Sequence, residues 1–188
     1  MTTDDTIAKF LENAKQNLVR DGVIYPTVIM LKQSQLLFLK HIEYKPDERY
    51  NEAYVLGHVA KQLGADTLIM ISDAFVKEYK SMDEAVTHPP SSLPESECSS
   101  CIVAVAIDFP SFKASQRMIP YTDKQSSLVF ENISTSYTGV KGAIPEAISK
   151  GWNARYVSPE LTEHFNFIKT IHKNNIYKPP SITHAQQN

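Results

Sequence analysis

Cysteine is scarce in this chain, with two in 188 residues, at positions 98 and 101. Two thiols cannot form the disulfide framework that holds small secreted domains together. Glycine is scarce as well, six in all. No Gly-rich linker occurs, and neither GxxxxGK[ST] nor GxGxxG, the backbone cradles for phosphate, is present. The GxSxG elbow of serine hydrolases is also missing. There is no excess of positive charge: 19 Lys and Arg face 21 Asp and Glu, for a formal net charge of -2. The basic residues are scattered rather than striped, so nucleic acid is not an expected partner. No apolar run approaches the roughly 18 residues of a membrane span. The opening MTTDDTIAKF places acids where a signal peptide needs positive charge. Cytoplasmic residence without membrane contact is the expectation, and the sequon Asn132-Ile133-Ser134 then carries no glycan.

What is present reads as one globular domain over residues 1–173, with a tail at 174–188 expected to be disordered because it is rich in Asn and Gln and holds two prolines. Ile7, Phe10, Leu11, Ala14 and Leu18 fall on one face of a 3.6-residue repeat, Asp4 and Asp5 favour a helix start, and Gly22 a stop. Two β-rich segments, 23–31 and 35–42, flank a short polar joint and predict a hairpin, with Pro26 marking an edge or a strand start. A second helix is expected from Asp47 to Gly64, with Ala53, Leu56, Ala60 and Leu63 on one face. Strands follow at 66–72, 101–109, 113–121 and 128–133, the third-to-fourth interval holding a Pro- and Ser-rich loop at 84–100. A short helix is expected at 145–150, ended by Gly151, and a longer one from Ser158.

Strands joined by hairpins run antiparallel. The order α-β-β-α-β-β-β therefore predicts an α+β fold, a mostly antiparallel sheet of five or six strands with helices packed on one face and a helical C-terminal extension. Over residues 4–121 this order resembles the roadblock/longin and profilin-like group of folds. The segments DGVIYPTV and LGADTLIMISDAF also resemble segments of an uncharacterised microbial protein family.

Cys98-Ser99-Ser100-Cys101 is the sharpest local motif. Two thiols at this spacing can bind one metal ion, and a structural zinc site needs four ligands. His88, ten residues upstream in the same loop, is the best local third ligand. Redox work is the second option, but this pair precedes a strand and lacks the helix N-terminus that lowers a thiol pKa. The third option makes Cys101 a buried strand residue and Cys98 an incidental loop thiol. A zinc deaminase is disfavoured, because His58 is followed by Val59-Ala60 without the required Glu, and Glu97 stands where Pro should precede Cys98. No cofactor is expected, zinc at Cys98, Cys101 and His88 being the one candidate.

The other histidines, 41, 58, 164, 172 and 184, show no HExxH or HxH spacing. Asp73 and Glu78 follow the third strand, where acids serve either chemistry or capping. Gly139-Val140-Lys141-Gly142 precedes a helix and could present an anion site or a plain loop. Tyr44, Tyr50 and Tyr54 cluster at the start of the second helix, where half-buried packing is the default and an interface the alternative. No catalytic residue is identified. The first expectation is a binding or regulatory module that pairs with itself or with another protein through a sheet edge or helix face. The alternatives are an enzyme or small-ligand binder whose site is assembled from distant residues, and a structural component of a larger assembly.

Overall fold

The computed structural model describes residues 2–42, 49–77, 80–81, 83, 87–88, 93–94, 97–124, 127–136 and 143–155. Helix α1, Thr3–Asp21, begins with a reciprocal cap: the Thr2 hydroxyl accepts from the Asp5 amide at 3.1 Å, and the Thr2 amide donates to the Asp5 carboxylate at 2.8 Å. These hydrogen bonds hold the Asp5 carboxyl below the usual range. Gly22, at φ 71°, closes the helix in the left-handed conformation that glycine adopts without steric cost. Strands β1, Thr27–Lys32, and β2, Gln35–His41, form the hairpin. Its two-residue turn holds Gln33 and Ser34 at positive φ, and the Asp66 carboxylate accepts from the Gln33 amide across the chain.

Helix α2, Arg49–Leu63, leads through Gly64 into β3, Thr67–Val76. Then come β4, Ser99–Asp108, β5, Lys113–Lys124, β6, Ser127–Phe130, and β7, Ser134–Ser136. Helix α3, Ala143–Asn153, follows. The strands form one antiparallel sheet in the order β2-β1-β3-β4-β5-β6, with β7 also pairing with β5. No described helix is long and apolar enough to cross a membrane.

Alternation along the central strands divides the core in two. Val28, Met30, Leu68 and Ile107 point to one face, where Ala53, Leu56, Val59 and Ala60 of α2 and Ala147 and Ile148 of α3 cover them. Ile29, Leu31, Ile69, Ile71, Ile102, Ala104 and Ala106 point to the other, under Ile7, Leu11, Ala14 and Leu18 of α1. Strands buried on both sides read as continuous apolar runs, which is the pattern of β1, β3 and β4. Arg117 of β5 reaches the Asp4 carboxylate and fastens the start of α1 to the sheet.

The α+β class, the antiparallel sheet and a helix near the C-terminal end of the described chain agree with the sequence. Helices on one face do not, since α1 packs opposite α2 and α3. The sheet has seven strands because residues 134–136 add β7. Gly151 does not end α3 but lies inside it, for a reason of packing between helices. Strand β3 runs four residues beyond 72, because β4 begins at Ser99 and supplies Ser100 and Ser99 as partners for Phe75 and Val76. The helix expected from Ser158, the tail at 174–188, the Gly139–Gly142 turn and most of the 84–100 loop lie outside the described residues.

Candidate functional site

The extra length of β3 creates a notch. Strand β1 pairs with β3 from Thr27↔Ile71 to Leu31↔Thr67 and goes no further. Pro26, which lacks an amide hydrogen, precedes its first residue, and the Pro26 carbonyl instead accepts from the Ile42 amide at 2.7 Å. Beyond Ile71, residues 72–76 pair with β4 on one side. On the other side no strand pairs with them among the described residues.

A cavity of about 590 Å³ opens at this notch. Met70, Val103, Val105 and Ile144 give it an apolar lining, and Tyr25, His41, Arg49, Ser72 and Asp73 add polar groups. The chain turns that end β2 and begin β1 fix Tyr25 and His41: their rings meet at 5.7 Å, and the His41 Nδ1 lies 2.9 Å from the Thr27 hydroxyl. Tyr25, His41 and Ile71 also border a second groove, on the opposite face, lined by α1 and by the exposed Leu36 and half-buried Leu39 of the hairpin.

Asp73 stands at the rim. Its carboxylate accepts from the Tyr121 hydroxyl at 3.0 Å. It has no ion-pair partner among the described residues. Partial burial raises the Asp73 carboxyl above its ordinary range, and the hydrogen bonds from Tyr121 and from the Ala74 amide oppose that shift. Burial, then the hydrogen bond to Asp73, pushes the Tyr121 phenol up to about 12. Asp73 is therefore the acceptor of a neutral phenol near pH 7.

The cysteines take different positions. Cys101 is buried within β4, paired with Ala74 and Pro120, and Cys98 is half-buried just before the strand. Neither is in a disulfide. Three residues of extended chain span roughly 10 Å, beyond the reach of a disulfide between the two. His88 is exposed. Among the described residues no three His, Cys, Asp or Glu side chains are placed to hold a metal ion, so Cys98, Cys101 and His88 are not brought together as a ligand set. Burial pushes the Cys101 thiol up, with the negative charges of Glu131 and Asp73 adding to it. A raised thiol pKa means less thiolate at mildly alkaline pH. Iodoacetamide will therefore alkylate Cys98 well before Cys101 in native protein and both together in denaturant, as peptide mass mapping will show. Equal native rates would mean that the start of β4 opens readily.

Asp73 belongs to the site, whereas Glu78 and Tyr44 lie outside the described residues. Tyr50 accepts from Lys150 at 3.2 Å on the far surface of α2 and α3, and His58 is buried in α2 near Gln62. Sequence reasoning missed Tyr25, His41, Arg49 and Ser72, which converge only once the hairpin closes on β3. Pro26, just before the start of β1 beside the longer β3, was the one local signal of the notch. No family model, curated protein or solved structure matches the chain.

Proposed function

We propose that this chain is a protein-interaction module that receives an extended segment of a partner against residues 72–76 of β3. The observation that carries the reading is the length of β3 that no described strand pairs on this side, beside a cavity with apolar walls. Strand addition draws affinity from main-chain hydrogen bonds and specificity from pockets that take alternate side chains. Ser72, on the same strand face as Met70, opens into the cavity with it. A partner side chain on that face would enter the same space and meet Val103, Val105 and Ile144.

Self-association is the second reading, favoured by β2. It is seven residues long, pairs only with β1 among the described residues, and carries the exposed Leu36. The other end of the sheet is blunted by β6 and β7, of four and three residues.

One pair of variants separates the two. Random linear peptides displayed on phage and selected on the whole chain should yield binders. Their affinity should fall at least about tenfold in Ser72→Arg, whose long side chain fills the cavity. Leu36→Lys should leave peptide affinity unchanged and, where copies pair through β2, lower the mass found by sedimentation equilibrium. Unchanged melting temperatures would show that both variants fold. Selection that yields no peptide, or peptides that bind Ser72→Arg as well as wild type, would overturn the notch reading. A monomeric wild type would overturn self-association.

A further inference from the structure

We infer that the segment taken up at the notch alternates apolar and basic residues, with a Lys or Arg directly opposite Asp73. This rests on the strand-addition reading and deepens it by naming the chemistry of the partner. Successive residues of a strand face opposite sides of the sheet. Met70 and Ser72 point to the α2–α3 side, so Asp73, one residue on, points to the α1 side with Ile69 and Ile71. An added strand places its residues in the same two sets. The residue opposite Asp73 shares its face, with the Cβ atoms about 5 Å apart, close enough for a charge pair. The residues before and after it turn to the other face, where Met70, Val103, Val105 and Ile144 form apolar walls.

Charge decides the identity of the middle residue. Asp73 is an exposed acid with no cationic partner among the described residues. Tyr121 occupies one oxygen as a donor and leaves the net negative charge in place. Arg49, at the start of α2, and His41, at the end of β2, line the same cavity from other elements. An acidic residue opposite Asp73 would be repelled, whereas a basic one gains an ion pair at a half-exposed rim. Phe75, half-exposed and two residues further on the same face, offers its ring to the aliphatic stem of that side chain.

The test repeats peptide selection on three proteins: wild type, Asp73→Asn and Asp73→Lys. Asn retains an acceptor for Tyr121 and loses only the charge. Wild type should enrich Lys or Arg at one position between two apolar residues. Replacing that Lys by Gln in a selected peptide should weaken binding by up to about fivefold. Asp73→Asn should lose the preference, and Asp73→Lys should turn it to Asp or Glu, an inversion that a merely structural Asp73 would not produce. Peptides that depend on Ser72 but show no basic position would overturn this inference and leave the notch reading standing. Selection without any Ser72-dependent peptide would overturn both.

Discussion

Gly57→Ala will destabilise this protein by about 3 kcal/mol or more, although alanine is the better helix former. In α2 the substitution by itself should gain roughly 0.5–1 kcal/mol, since glycine has more backbone entropy to lose. Packing reverses the sign. A Cβ at Gly57 would lie 2.0 Å from the Ile148 carbonyl oxygen, and one at Gly151 would lie 1.8 Å from the Tyr54 carbonyl oxygen. Both obstacles are backbone atoms of the facing helix, so no rotamer change relieves them. The helices would have to separate, which would loosen Ala53, Val55, Leu56 and Ala60 on one side and Ala147 and Ile148 on the other. In a protein of this size the loss corresponds to a fall in melting temperature of about 10 °C. Asn51→Ala, exposed on the same helix, serves as the control and should show only the small propensity effect. Because one forced separation makes room for both methyl groups, the double variant should lose less than the sum of the two. A Gly57→Ala protein that melts with wild type would show that α2 and α3 do not approach this closely in solution.

Leu11→Ala is the second large effect, expected at about 3 kcal/mol within the 2–5 kcal/mol range of such truncations. Leu11 is fully buried, and α1 is the one described helix over the Ile29, Ile69, Ile71 and Ile102 face. Each central strand lends two or three apolar side chains to that face, so the strands cannot shift toward α1 without disturbing the opposite core. The cavity would persist. Denaturant unfolding should show the loss, and amide exchange should place it first in α1, whose cap and Arg117 tether stand apart from the core contacts. Val19→Ala, 62% exposed on the same helix, should change stability by less than about 0.5 kcal/mol. Equal effects at the two positions would mean that α1 contributes little to covering the sheet.

The two glycines show where sequence reading reaches its limit. Gly22 and Gly64 end helices and lie at φ 71° and 65°, and both follow an apolar repeat, so their role was legible. Gly151 also stands near a helix end, yet its task is to let another chain segment approach, and that segment lies almost a hundred residues earlier in the sequence. The helical period of α1 and the apolar runs of β1 and β4 were equally plain, because each follows from local spacing. The assignment of α1 and α2 to opposite faces was not, because a strand buried on both sides shows no alternation to say which helix takes which face. Strand β3 beyond Ser72 was hidden for a related reason: Asp73, Ala74 and Phe75 look like a strand exit until Ser99 and Ser100 are seen to pair alongside. The notch depends on that extension, so the site was less legible than the fold.

The ring of Trp152 stacks on Phe109 at 4.0 Å and nearly parallel, with Phe112 edge-on at 6.3 Å. It is the only tryptophan in the chain. It shares α3 with Pro145, which borders the notch cavity, and the seven-position step between them spans about 10 Å of helix. The molecule thus carries its one tryptophan on the same helix as one wall of its cavity. A wall that moved on binding would carry the aromatic stack with it along the helix axis, and tryptophan emission would then report events at the notch without any added label.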